Sequence, residues 1–427
     1  MEVAPHRIRN LCVVDVWVKP FWTTIRASPD RQHVAQVVAV RPEKKQAVAL
    51  DGLYRSIWDS SLVLSETFSP DSNHLAYGAR QGPKAYLVLD EHPGLPYDDL
   101  LDGTPIFSPD GTKLAYGARD DNSWKVIVNQ QEIATYDHLM GWSFIFSGDS
   151  RHFGYHAWRG ENCLVVVDSK EFGPYEGLAG FAILPQPQIV GEPKYQQPIQ
   201  RRTGLNMFSS DGQHFVYVAM VGGNWFVVKD GAKGKHYDEI IPDTLSFFPH
   251  TDTIVYAAVK NGQYLIVVNG DDIEIGGKIH PCSIAVSPVS GEFAYVVWTL
   301  KGACVVRGTS TYQAYGGVSL GSLTFSPDGN HLAYIDDGGV CVVIDGVRTQ
   351  NYITISREPL VFSEDSRHLA FVAEKGAGRC FVVLDGHMEI GPFNSIVPDG
   401  GPIFVTPKLL RWVAIKEGYA VTMEYEL

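Results

Sequence analysis

Histidine is the residue whose distribution first invites chemistry. The chain carries 14 of them, and neutral imidazole is both an acid–base group and a common metal ligand near neutral pH. Six (His33, His74, His152, His214, His331 and His368) recur at one position, just after a Pro-Asp-Gly-type turn. A residue repeated at that spacing serves the repeat and not a single centre. Of the eight aperiodic ones, His138, His156, His236 and His280 are the site candidates. His138 and His156 flank one second strand, near Trp158, Arg159 and Glu161, and are weak candidates for a shared metal or an acid–base pair. No third ligand can be named, so neither a metal nor another cofactor is predicted.

Three further patterns resemble chemistry. Gly317-Val-Ser319-Leu-Gly321 matches Gly-x-Ser-x-Gly, but a nucleophile elbow needs a strand before it and a helix after it. Here a short connection precedes and a strand follows, so the match reads as coincidence. The Asp residues of the recurring turns are about 39 residues apart, one per unit, and read as turn stabilisers instead of calcium ligands. The six cysteines (Cys12, Cys163, Cys282, Cys304, Cys341 and Cys380) form no Cys-x-x-Cys, and four of them occupy the same strand of different units. They read as buried free thiols of a reducing compartment.

The elements that hold these residues follow from an internal repeat. Phe68-Ser-Pro-Asp-Ser-Asn-His-Leu-Ala-Tyr77 returns from Phe107 to Tyr116 and from Phe325 to Tyr334, with looser copies elsewhere. Anchored on the second residue of each copy, the repeats fall at 28, 69, 108, 147, 209, 248, 287, 326, 363 and 405. Each unit reads as a short strand, a Pro-Asp-Gly turn, a second strand, a polar loop, a nearly all-apolar third strand, a hairpin turn and a fourth strand ending in a Tyr-Asp-like pair. Examples of that pair are Tyr97-Asp98, Tyr136-Asp137, Tyr175-Glu176 and Tyr237-Asp238. Four short strands in about 40 residues are one propeller blade.

The fold expected is therefore all-β, a β-propeller of about ten four-stranded antiparallel blades. After the last anchor the chain supplies only three strands, and the N-terminal segment near Leu11–Val14 supplies the fourth. That closure favours one large ring over two smaller propellers in tandem. A spacing of 62 residues between anchors 147 and 209 marks an insertion, 178–205, between units four and five. It is proline-rich and reads as an excursion over one face and not a domain linker.

The Phe-Ser-Pro-Asp-Gly…Ala-Tyr pattern resembles the WD40-like propeller repeats of the TolB type, over nearly the whole chain. The resemblance implies the fold and leaves function open. The Trp-Asp and Gly-His signatures of true WD repeats are not at their places; Trp58-Asp59 is the single Trp-Asp pair.

Composition narrows the partners. Hydrophobic residues make up 45% and charged residues 19%, with 42 Gly and 25 Pro, as in a soluble all-β protein. A net charge of −13 without a basic patch argues against nucleic acid. No apolar run approaches a membrane span, and no signal-peptide pattern opens the chain. A cytoplasmic setting is expected for the sequence as it stands, and a periplasmic or secreted one if a leader has been removed.

The loops between second and third strands vary in charge and aromatic content, which is how a rigid ring presents a binding face. Arg80, Arg119, Asp121, His138, His156, Trp158, Arg159, Glu161 and Trp298 are the binding candidates. The reading is a non-catalytic scaffold for a protein or peptide. Its alternative is an enzyme with a site in the central channel, such as a metal-dependent oligosaccharide lyase or an enzyme converting a small molecule. Some relatives in the repeat class look like such lyases.

Overall fold

The computed structural model describes residues 2–3, 7–13, 25–40, 45–61, 66–178, 206–314, 316–338, 340–356, 359–376 and 379–427. No helix occurs among them, so none is long and apolar enough to cross a membrane. The strands form ten sheets of four successive strands, the first strand of several blades being split in two. Blade 3 is representative. Its first strand is Asp99–Leu100 and Ile106–Phe107, its second Leu114–Asp120, its third Ser123–Val128 and its fourth Gln131–Tyr136.

The recurring turn shows why the motif must be spelled as it is. In blade 3 the Gly111 N–H donates to the Ser108 carbonyl at 2.8 Å, closing a β-turn with Pro109 inside it. The Ser108 hydroxyl donates to Asp110 at 2.6 Å, and the Thr112 N–H donates to the same carboxylate at 3.0 Å. These bonds, the Ser108 hydroxyl first, hold Asp110 down at about 2. Gly111 sits at φ +72°, where a Cβ is disfavoured. Blades 2, 4 and 9 put Ser72, Ser150 and Ser366 at that left-handed place. Each serine hydroxyl accepts an N–H from the turn of the preceding blade, from Asp30, Asp110 and Asp328, at 3.0–3.1 Å. An inter-blade hydrogen bond thus accompanies the strained backbone.

The six periodic histidines serve the blade, as their spacing implies. Each places Nδ1 2.5–2.9 Å from an Asp at the end of its own third strand, as in His74–Asp90 and His152–Asp168. The other carboxylate oxygen accepts the N–H of the residue after the histidine, Leu75 and Phe153 in those blades. The pair ties the second strand to the third-to-fourth hairpin. Blade 7 replaces it with a Glu292–Arg307 ion pair at 2.9 Å.

Blades stack through apolar faces. Ten buried clusters lie one at each junction between consecutive blades, including one between the last blade and the first. That last cluster joins Ile25, Ala27 and Val34 to Val397, Val413 and Ile415. Across the same seam Arg31 donates to the Gly401 carbonyl, Arg411 to Asp30 O and Thr422 to Arg31 O. The molecule is therefore one ten-bladed ring and not two in tandem.

Closure uses the N-terminal segment: Arg7–Val13 lies antiparallel to Tyr419–Glu426 as the fourth strand of blade 10, and Glu2–Val3 runs parallel to Met388–Phe393 of blade 9. The 178–205 insertion begins at Leu178, which ends the first piece of blade 5's first strand, Gly177–Leu178; residues 179–205 lie outside the described residues.

Candidate functional site

The Tyr-Asp pair is an inter-blade clamp. Its tyrosine packs edge-on against an aromatic residue of the next blade's second strand, as in Tyr97–Tyr116, Tyr136–Tyr155 and Tyr237–Tyr256, with centroids 5.9–6.4 Å apart. Its acid reaches the tip of the next blade's second-to-third hairpin. Asp59, Asp98, Asp137, Glu176 and Asp238 accept N–H bonds of 2.6–2.9 Å from Gly82, Asp121, Gly160, Gly222 and Asn261. Trp58-Asp59 is a member of this series, and Asn394 does the same for Glu417 in blade 10. The connections between blades and the second-to-third hairpins therefore share one face.

Those hairpins, which differ so much in sequence, are of one length in six successive blades. Two residues join the strands in blades 2 to 7, from 82–83 to 300–301. Arg80, Arg119, Trp158 and Trp298 occupy one repeat position, eleven residues after the anchor. On blades 2 to 4 the charges are spent internally. Arg80 pairs with Asp99, which also faces Arg119 at 3.8 Å. Lys84 meets Asp98 at 2.7 Å, and Lys125 meets Glu132 at 3.1 Å. Asp121 spends its N–H on Asp98, and Arg119 also lies over Trp124 at 5.8 Å. Arg159 pairs with Glu171 at 2.6 Å and covers the Tyr136 ring at 4.8 Å, while Glu161 is exposed at the turn.

The two histidines of this region have unlike surroundings. His138 is exposed and stands across a rung from Trp158; His156 stands across from Met140, two residues farther along. His156 is fully buried between blades 4 and 5, and neither ring nitrogen has a hydrogen-bond partner among the described residues. Burial pushes it down to about 3, so it stays neutral. Its backbone N–H donates to the Ser143 hydroxyl at 2.8 Å, a bond that Gly117 and Ala257 repeat with threonines. His156 thus fills a position that Val218 and Ile335 fill in other blades. Among the described residues no group of three or more His, Cys, Asp or Glu side chains is placed to hold a metal ion.

Blade 7 departs from blades 2 to 6, and blades 8 and 9 share part of the departure, with Gly316 and Ile353 at the place of the acid. Where blade 3 ends in Tyr136-Asp137, blade 6 ends in Gly276-Gly277, so neither the ring nor the acid of the clamp reaches blade 7. A side chain at 277 has no room: a Cβ there would lie 2.5 Å from the Trp298 carbonyl oxygen. The first piece of the blade's first strand retreats to a single bridge, Lys278 with Trp298, as that of blade 8 does to Val318 with Asp336, while Ile284–Val286 stays paired. Tyr295 is left half-buried, whereas its counterparts Tyr116, Tyr155, Tyr217 and Tyr256 are buried. The left-handed residue of the hairpin moves to Gly302, φ +109°, and Leu300 at its tip is fully exposed.

A cleft of about 300 Å³ opens beside this hairpin, lined by Trp298, Lys301, Gly302, Gln313, Ala314 and Gly316. The His280 ring lies 5.3 Å from that of Trp298, on the wall of an adjoining cavity of about 10 Å³ that Cys282 and Ser319 also line. The Ser319 of the Gly-x-Ser-x-Gly match belongs to a turn, with its carbonyl accepting the Ser322 N–H and hydroxyl.

A second irregularity lies in blade 2, on its side towards blade 1. Glu66 is 5% exposed, and neither carboxylate oxygen has a hydrogen-bond partner among the described residues. Desolvation raises it to about 7 despite the charge of Arg26. Other blades place Ile25, Phe144, Leu245, Leu323 and Leu360 there. Periodic comparison of the sequence, three residues before each anchor, exposes this substitution. Of the free cysteines, Cys163, Cys304 and Cys341 are buried, and Cys282 and Cys380 half-buried.

No protein-family model matches the chain, and no curated protein sequence does. Among solved structures, a eukaryotic initiation factor is similar at 11% identity, over 85% of this chain and 96% of that one, with a TM-score of 0.45. TolB from Acinetobacter baumannii is similar at 16% identity, over 56% of this chain and 62% of its own, with a TM-score of 0.27. The dihydro-heme d1 dehydrogenase NirN is similar at 12% identity, over 91% and 78%, with a TM-score of 0.38. At these identities and scores none of the three carries an activity or a ligand over to this chain.

Proposed function

We propose that this protein is a binding scaffold built from WD40-like, TolB-type repeats, and that it takes a protein or peptide on the hairpin face of blade 7. The observation that supports this is the coincidence of three features at one place. The acid clamp of blades 2 to 6 is missing there, a cleft of about 300 Å³ lined by Trp298 and Lys301 opens there, and Leu300 of the same hairpin is fully exposed. That volume is at the small end of ligand pockets, which suits one anchoring side chain of a longer ligand. A tryptophan wall is the kind of anchor that interfaces favour. The hairpin face of blades 2 to 4 is different, because its cations Arg80, Lys84, Lys125 and Arg159 already pair with acids of the chain.

Selection of displayed random dodecapeptides on the immobilised protein tests the reading. Enriched peptides lose at least tenfold in affinity on Trp298→Ala and keep it on Arg367→Ala, an exposed residue of a Ser-Glu-Asp-Ser turn at the opposite end of its blade. Enrichment only of peptides indifferent to Trp298→Ala contradicts it.

A further inference from the structure

We infer that the blade 7 hairpin recognises a side-chain carboxylate of its bound peptide, taken by the Leu300 N–H and Lys301 where blades 2 to 6 take an acid of their own chain. The inference rests on the binding reading above and specifies what is bound.

The molecule supplies five examples of the interaction. In blades 2 to 6 the N–H thirteen residues after the anchor donates to an Asp or Glu from the preceding blade, at 2.6–2.9 Å. By count from the anchor Leu300 takes that place in blade 7, without the left-handed φ its five counterparts share, and Gly277 takes the place of the acid. The Trp298 carbonyl crowds position 277, so the chain cannot deliver a carboxylate from there. Among the described residues none accepts the Leu300 N–H, whereas the neighbouring Lys301 N–H is satisfied by the Thr299 hydroxyl at 3.1 Å.

Charge points the same way. Lys301 and Lys278 are exposed, and neither takes part in an ion pair among the described residues. On blades 2 and 3 the lysines of the same face, Lys84 and Lys125, are both paired. Two unpaired cations on a chain of net charge −13 make this hairpin a local attractor for an anion. A carboxylate meeting an N–H and an ammonium forms charge-assisted hydrogen bonds. The Trp298 ring beside them offers an apolar wall for the flanking side chain.

The test uses the full chain and peptides from the selection that depend on Trp298. Each peptide is resynthesised with every Asp and Glu changed singly to Asn or Gln, and once with an amidated C-terminus. One acid-to-amide change is expected to weaken binding about tenfold, with amidation neutral. Leu300→Pro removes the N–H at a turn position that accepts proline, and Leu300→Ala keeps it. The acidic peptide is expected to bind Leu300→Pro about tenfold more weakly than Leu300→Ala, while its amide form does not distinguish them. Lys301→Met should shrink the acid-to-amide difference.

If every acid-to-amide change is neutral while Trp298→Ala still abolishes binding, the carboxylate inference fails and the binding reading stands. Sensitivity to C-terminal amidation alone also overturns the inference. If no selected peptide depends on Trp298, both fail.

Discussion

Glu66 shows how one side chain departs from its repeat at a cost that pH reveals. Its folded value of about 7 lies above its ordinary 4.5. Between these values the folded chain holds a proton that the unfolded chain has released, so this residue's contribution to stability is full below about 4.5 and is lost as pH rises to about 7. Glu66→Leu, the residue of blades 6, 8 and 9, removes that dependence. The variant should gain on the parent by roughly 3 kcal/mol more at pH 8 than at pH 4, as read by denaturant unfolding at the two pH values. An equal difference at both would show that the carboxyl is not neutralised by burial. His156 has the opposite sign: its neutral form is the folded one, and its stability contribution is lost as pH falls from about 6.5 towards 3. The sequence marked His156 for its chemistry and passed over Glu66. Type alone does not reveal burial; register against the other blades does.

At the scale of the element, the Tyr-Asp pair was legible as the end of a strand but not as a clamp. Its partner sits 23 residues on, in the next blade, and only stacking of the sheets brings the two together. The Pro-Asp-Gly turn was legible in full, because all of its bonds are local. The His–Asp tie lay between: histidine and acid both recur once per blade, and their common period was the available signal.

If the acid serves to fix the next hairpin, Asp137→Ala should speed hydrogen exchange of the Gly160 amide and lower stability by about 1 kcal/mol. Unchanged exchange at Gly160 would remove the clamp from the account. The hairpin of blade 7, with glycine in place of that acid, is the natural comparison: its tip should already exchange faster than the tips of blades 2 to 6.

For the whole molecule, ten blades follow from ten repeats, and the single ring follows from contacts no repeat count contains. Blade 10 packs on blade 1 through Val397, Val413 and Ile25, and the N-terminal strand completes the last sheet, so no blade is left without a neighbour. The incomplete last repeat made the closure readable, since three strands there and spare strand-forming residues at the other end fit one another. That blade 7 departs in structure was not readable, because the looseness of the copy at 287 looks the same as ordinary drift until Gly277 is seen against the Trp298 backbone.

In this account nine blades hold the ring and blade 7 meets the partner. Hydrogen–deuterium exchange of the full chain, with and without a saturating Trp298-dependent peptide, tests that most directly. Protection is expected in residues 298–302 and 313–314 and not at the hairpins of blades 2 to 6. Protection centred on those clamped hairpins, or on the Ser-Pro-Asp turns of the opposite face, would contradict it.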